Sequence, residues 1–277
     1  MIDLHIKSNL SAEGNLSVEQ ILEKAQSEGF DTVSIADHNS ALSSLVVEHI
    51  NLKKYFTGKF VSGIEIDVCF EGVTFEILGY DFEVLPVMKW AEEKFGTLPW
   101  RQTQIRDKLI ELCNKKGFIL SKTFPWNARQ EYAHENIYNN LMQNENNVKL
   151  FNREINNSSD FYRYSTTDKD FILYMDMSFL WATVDEAISV IKMNGGKTFL
   201  AHPYGYSANM DTGKLLEIAK KFKVNGVEVY HPRHNEKQIS ELLKYCKINN
   251  LLISGGSDFC GKEGQEFAKD LQGKLFI

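Results

Sequence analysis

The chain begins MIDLHIKSNLSAEG. Side chains of an extended strand alternate between its two faces. This spacing therefore places Asp3, His5 and Lys7 on one face and Ile2, Leu4 and Ile6 on the other. A carboxylate and an imidazole on one face suit a divalent cation. Lysine is out of place beside them: with a reference pKa of about 10.4, freeing its amine at pH 7 costs roughly 4–5 kcal/mol.

Further residues of ligating type fall where strands are expected to end. His5 ends the first strand, His38 directly follows the second and Glu65 ends the third. His202 follows the fifth and Asp258 the seventh. A single histidine at a strand end is ordinarily a hydrogen-bonded structural group. Five ionisable groups gathered at one rim are not, because burying them together costs several kcal/mol each unless a cation or partners compensate. The set as a whole reads as a metal site.

The elements that must carry these residues alternate. IDLHI, TVSIADH and FVSGIEIDV read as strands, and VTFEILGYDF pairs with the third through a Glu71-Gly72 turn. NLSVEQILEKAQSEG reads as a helix with Ser17 as N-cap, Gln20 completing a capping box and Gly29 as the stop. Two helical segments follow, near 86–95 and 101–116. After residue 176 helix and strand alternate again through KTFLAHP, GVEVYHP and LLISGGSDF. Strand followed by helix, repeated, predicts a parallel sheet with helices outside. About seven strands are expected, one fewer than in the eight-stranded α/β barrel. The expected class is α/β, a distorted (β/α)7 TIM-like barrel whose strand ends meet at one rim.

Residues 118–176 break the alternation. Asparagines recur from Asn136 to Asn157, which suits a polar, mainly helical insertion with long loops. The expected division is a barrel of 1–117 and 177–277 with a cap or lid of 118–176.

Composition narrows the function classes. With 277 residues, 43% hydrophobic and 25% charged, the chain is an ordinary globular one with a sizeable core. A net charge of −6 gives no long-range attraction to duplex DNA or anionic membranes, though a local cation can still hold a small anion. The four cysteines, Cys69, Cys113, Cys246 and Cys260, form no CxxC, and Cys113 and Cys246 lie in apolar helical patterns. This cysteine usage makes a reducing, cytoplasmic setting the expectation, and no apolar leader or membrane-length segment is evident.

Seven segments, in order, resemble the polymerase-and-histidinol-phosphatase (PHP) family of metal-dependent phosphoesterases. DLHIKSNLSAEG is similar to the family's DLHxHS opening, SIADHNS to ITDH, GIEI to GxEI and FEILGY to HxLGY. AHPYG is similar to AHP, GVEVYHPRHN to GIEVY, and GGSDFCG to GSDxHG. The resemblance implies a distorted (β/α)7 barrel, phosphoester hydrolysis, and bound Mn, Zn or Fe ions. By motif it implies His5, His38, Glu65, His202 and Asp258 as ligands, with Glu13 standing where an aspartate is common.

Three positions depart from the family pattern. Lys7, Glu76 and Cys260 replace histidines. Glu76 suits a hard ion and a Cys260 thiolate suits zinc, so a more negative centre that leans toward zinc is expected. Lys7 is expected to put an ammonium in one cation's place, balancing Glu13, Glu65 or Asp258, or to hold a phosphate oxygen as a point charge. The cluster would then hold one or two ions rather than three. The rival expectation is a solvent-facing Lys7 at a decayed site.

Other polar residues carry weaker signals. Asp37 either orients a ligand imidazole or caps the following helix. His231, Arg233 and His234 follow the sixth strand, and Arg233 is a candidate anion clamp. His134 in the insertion and His49 read as surface and structural residues. Phe151, Phe161, Tyr162 and Tyr164 read as cap packing before base stacking. The expected catalytic residues are thus Lys7, Asp258 and Arg233. The expected activity is metal-dependent hydrolysis of a small phosphorylated substrate: a nucleotide, a short oligonucleotide, or a sugar or amino-alcohol phosphate. The alternative is a non-catalytic barrel that binds a phosphorylated ligand or a protein partner.

Overall fold

The computed structural model describes residues 1–11, 14–128, 131–206 and 211–267. Seven strands form one sheet in sequence order: β1 (Ile2–Ile6), β2 (Thr32–Ile35), β3 (Lys59–Phe70), β4 (Val73–Tyr80), β5 (Lys197–Leu200), β6 (Gly226–Tyr230) and β7 (Leu252–Gly255). Beyond β7, Phe259 bridges Ile6 in parallel, and its carbonyl accepts from the Lys7 amide at 2.8 Å. The sheet is therefore a nearly closed barrel.

It is not wholly parallel. β4 lies inside the sheet and runs antiparallel to both β3 and β5. The cause is the two-residue turn Glu71-Gly72, where both residues take positive φ (50° and 72°) and Phe70 pairs with Val73. That is the backbone a tight hairpin requires. Because β3 continues to Phe70 to form this hairpin, Glu65 sits mid-strand rather than at a strand end.

The alternation expected in β1 is also broken. Ile2 and Asp3 pair with Thr32 and Val33, yet Ile6 pairs with Ile35, so Leu4 and His5 together oppose Ser34. Leu4 accordingly packs with Val61, Tyr80 and Phe199, whereas Ile6 packs with Ile21, Val33 and Ile35. β6 carries a matching irregularity, with Val229 as the extra residue beside Glu228. Such bulges re-aim side chains and are common next to active sites.

The helices follow their sequence signals. α1 (Val18–Ser27) has the Ser17–Gln20 capping box and buries Val18, Ile21, Leu22 and Ala25. It is succeeded by α2 (Leu42–His49), α3 (Val84–Phe95) and α4 (Leu98–Lys115), whose Cys113 is core. After 118–176 come α8 (Val184–Met193), α9 (Thr212–Lys221) and α10 (Glu236–Asn249), with Cys246 in the core. All four cysteines are free and buried. Among the described residues no helix is long and apolar enough to cross a membrane.

Residues 118–176 contain α5 (Ala133–Met142), α6 (Glu145–Val148) and α7 (Ser158–Thr167). Their apolar residues Ile137, Leu141, Phe161 and Phe171 join the same core cluster as Ile66 and Phe75 of the barrel. Several asparagines here are buried brackets, not a polar surface. Asn147 bonds both the amide and the carbonyl of Ile119, and Asn140 accepts from the Ser121 amide. Buried loop backbone needs such partners.

Candidate metal centre

Glu65 is the hub of the barrel mouth. Its Oε2 lies 3.3 Å from His5 Nε2 and 3.2 Å from His38 Nε2, and it accepts from Lys7 Nζ. Its Oε1 lies 3.2 Å from His202 Nε2. Five segments thus meet there: β1 and its end, the loop after β2, β3, and the loop after β5, with Asp258 Oδ1 from beyond β7 at 3.8 Å from His5 Nε2. His38 bridges to Glu65 along the backbone as well, which fixes its position although it follows β2.

The ring orientations have a cause that the sequence reading did not identify. Glu228 on β6 is fully buried and binds two histidines. Its Oε1 takes the His5 Nδ1–H at 2.9 Å, and its Oε2 takes the His202 amide at 2.9 Å. His5 therefore turns Nε2 toward Glu65. Glu228 was readable only as a carboxylate between valines in GVEVY. Asp67, also unassigned above, lies two residues beyond Glu65 on β3. It accepts from the Asn39 side-chain amide and lies 4.0 Å from His38 Nδ1.

Lys7 does not point to solvent. Its side chain is fully buried, and its ammonium donates to His5 Nε2 at 3.0 Å, to the Ala36 carbonyl and to Glu65. An ammonium has three N–H donors, and these three acceptors use them all. All three of its N–H groups therefore face the cluster in this structure.

The charges support one another. Burial opposes the Lys7 charge, but Glu65 and Asp258 hold its ammonium above the usual lysine range. Burial would raise the Glu65 carboxyl, yet Lys7 and His38 hold it well below the usual carboxylate range. Asp258 is also lowered against burial, with the Lys7 ammonium nearby. Glu76 is different: burial pushes it up, His202 opposes, and Glu65 and Asp67 add repulsion.

The remaining candidates are distributed as follows. Glu13 lies outside the described residues. Glu76 lines the same cavity as Glu65 and His202, and its amide donates to the Tyr206 hydroxyl. Cys260 is buried but its thiol bonds Gln265, so the structure does not bring it to the cluster. Arg233 donates to Asp258 Oδ2 at 3.1 Å on the rim. Asp37 orients no imidazole; it accepts from the amide and hydroxyl of Ser8, fixing the backbone just after Lys7. His231 accepts at Nδ1 from the Arg233 amide. His234 is a bracket between the Val229 carbonyl and the Tyr204 amide, and His49 bonds the Leu45 carbonyl in its own helix. Asp3 accepts from the amides of His5 and Ser257, tying β1 to the loop after β7.

The donor set fits a divalent ion. His5, Glu65 and His202 offer ligand atoms within 4.8 Å of one another, all buried. Among the described residues, Glu76 Oε2 and His202 Nδ1 are buried without a hydrogen-bond partner. Buried polar atoms are normally satisfied, and an ion with its water shell supplies what these lack. A second group, His5, Glu228 and His231, meets the same spacing. There the His5–Glu228 contact is a hydrogen bond that orients the ring rather than a pair of free donors.

The site opens into a cavity of about 380 Å³. Glu65, Glu76 and His202 line it together with Arg101 of α4, His134 of α5 and Tyr162 and Arg163 of α7. Arg233, Asp258 and Lys262 also contribute.

Comparison with known proteins agrees with this geometry. The PHP domain model matches residues 3–194. A phosphoribosyl 1,2-cyclic phosphate 1,2-diphosphodiesterase of Eggerthella lenta is 22% identical, over 95% of both chains. The 5'-3' exoribonuclease Rnm of Salmonella typhimurium is 24% identical, over 93% of this chain and 84% of that one. Among solved structures, a protein of Bifidobacterium adolescentis described as a metal-dependent phosphoesterase superposes with a TM-score of 0.66 at 18% identity, over 97% of this chain and 91% of that one. An amidohydrolase from Chromobacterium violaceum, solved with sulfate and no metal, gives 0.66 at 17% identity, over 96% and 90%. With a matching family model over most of its length and this barrel around Glu65, the chain belongs to the PHP domain family of metal-dependent phosphoesterases.

Proposed function

We propose that this protein hydrolyses a small phosphorylated substrate, such as a nucleotide, a short oligonucleotide, or a sugar or amino-alcohol phosphate. The carrying observation is the convergence of His5, His38 and His202 on Glu65 at the wall of a cavity that also holds Arg233 and Lys262. The two sequence relatives bear names of phosphodiester-cleaving enzymes, which supports the class.

His38, Glu65, Glu76, His202 and Asp258 are the groups that would hold metal, with His5 held against Lys7 and Glu228 beside them. A bound divalent ion supplies Lewis acidity and activation of the attacking water near neutral pH. The chain's own residues do the rest. Glu228 fixes the His5 and His202 rings, and Arg233 with Lys262 neutralises the phosphate at the rim. Residues 118–176 act as a cap whose Tyr162 and Arg163 shape substrate choice. With the Cys260 thiol bonded to Gln265, nitrogen and carboxylate donors decide among Mn, Fe and Zn. The four reduced, buried cysteines suit a cytoplasmic setting.

Hydrolysis of p-nitrophenyl phosphate and AMP with added Mn or Zn tests the proposal, with Glu65→Ala as control. Turnover that needs metal and disappears in Glu65→Ala is expected. One observation favours a second reading, a non-catalytic ligand-binding barrel: Lys7 already fills part of the cluster. Folded protein with no turnover under any metal would select that reading.

A further inference from the structure

We propose that the Lys7 ammonium is a built-in cation, occupying one metal position so that the centre takes one divalent ion fewer than its donors would otherwise hold. This rests on the reading of the cluster as a metal centre.

A divalent ion between β1 and β3 would need the Nε2 lone pair of His5 and an oxygen of Glu65. Lys7 Nζ holds that same Nε2 at 3.0 Å and bonds Glu65 Oε2. His5 cannot offer another lone pair inward, because its Nδ1 faces Glu228. The third N–H of Lys7 is anchored on the Ala36 carbonyl, so the ammonium is held from three sides. Asp37 fixes the amide and hydroxyl of Ser8, the next residue, which keeps the lysine stem directed inward. Lys7 is thus held in the cluster and is not a group that reaches substrate.

What remains for an ion lies on the other side of Glu65. Its Oε1 and His202 Nε2 are 3.2 Å apart, and Glu76 carries a buried unpartnered oxygen on the same cavity. One charge supplied by the chain and one ion at that side would balance the carboxylates without a full set of metals.

The test is metal stoichiometry. Wild type, Lys7→His and Lys7→Met would be stripped with chelator, dialysed against Zn or Mn, and analysed by plasma mass spectrometry. Lys7→His is expected to bind roughly one more equivalent than wild type, since imidazole returns a ligand and removes the competing charge. Lys7→Met, which leaves Glu65 buried without its ammonium, is expected to melt lower than wild type when stripped. It should also gain several degrees more than wild type from added metal. Equal stoichiometry in wild type and Lys7→His overturns the proposal. So does a stripped Lys7→Met as stable as wild type that gains no more from metal, a readout that stands even if Lys7→His does not fold. Wild type that binds no ion at all would instead overturn the metal-centre reading itself.

Discussion

His5 and Glu228 meet in a 2.9 Å hydrogen bond between β1 and β6, each at a strand irregularity. The β1 bulge puts His5 beside Leu4 opposite Ser34, and the β6 bulge adds Val229 after Glu228. The contact leaves His5 Nε2 directed at Glu65. Glu228→Ala should strand two buried donors, His5 Nδ1–H and the His202 amide. Each costs about 1–3 kcal/mol when unsatisfied. The expected result is a lower urea midpoint and divalent-metal affinity weaker by about 10–100-fold. Glu228→Gln retains an acceptor and should lose less of both. Competitive metal titration checks this; an alanine variant that binds metal as tightly as wild type would remove Glu228 from the positioning role.

Gly256 is a second packing constraint on the same histidine. A Cβ there would lie 2.3 Å from both the amide nitrogen and Cβ of His5. The loop after β7 closes the barrel at this point, with the Ser257 amide on Asp3 and Asp258 at φ 52°. Backbone and strand cannot both stay in place around an added methyl. Gly256→Ala should cost about 2 kcal/mol or more, at the upper end of overpacking effects. It should also weaken metal binding, because Asp258, two residues on, is displaced with the loop. Urea unfolding with parallel metal titration reads both effects, and a variant intact in both would show slack in the loop.

The sequence was legible where local rules decide. The Ser17–Gln20 capping box, the Glu71-Gly72 turn, the seven strands and the apolar surroundings of Cys113 and Cys246 all follow from short-range chemistry. His5, His38, Glu65 and His202 could be picked out because ionisable residues near the ends of apolar strands are costly without a purpose. The failures are non-local. No pattern in IDLHI announces a bulge, since the extra residue is defined only against β2. Glu65 read as a strand end, although the Glu71-Gly72 hairpin carries β3 on to Phe70 and leaves Glu65 in mid-strand. Glu228 looked like one charge in GVEVY, and its role exists only once closure of the sheet brings β6 within reach of β1. The bracketing role of Asn140 and Asn147 could not be read, because their partners are backbone groups of a loop about 20–30 residues earlier.

Residues of α7 meet the metal centre across one cavity, which gives the cap a measurable role. Tyr162 and Arg163 line that space with His134 and Arg233. If the cap grips the leaving group, Tyr162→Ala and Arg163→Ala should raise KM for a nucleotide by about tenfold, the scale of one lost stacking contact. The kcat/KM for p-nitrophenyl phosphate, which is too small to need the cap, should change by less than about twofold. Steady-state kinetics on both substrates separates the cases. Equal losses on the two substrates would place these residues in the support of the centre instead.

His134 supplies a pH dependence independent of the metal cluster. Its ring lies 4.6 Å from the Tyr162 ring and 5.4 Å from the Tyr132 ring. Burial lowers its pKa to about 4 from an ordinary value of 6.5. The folded state therefore prefers the neutral ring, while the unfolded chain takes up a proton below about pH 6.5. Stability contributed by this group is complete above pH 6.5, falls as pH drops toward 4, and changes no further below that. At about 1.4 kcal/mol per unit, the loss has an upper limit of about 3.5 kcal/mol. His134→Phe keeps an aromatic ring in the stack and removes the titration. The difference in unfolding free energy between wild type and this variant should thus shift by up to that amount between pH 7 and pH 4, in favour of the variant. Urea unfolding across that range checks it, and a pH-independent difference would mean that the His134 ring is as easily protonated in the folded protein as in the unfolded chain.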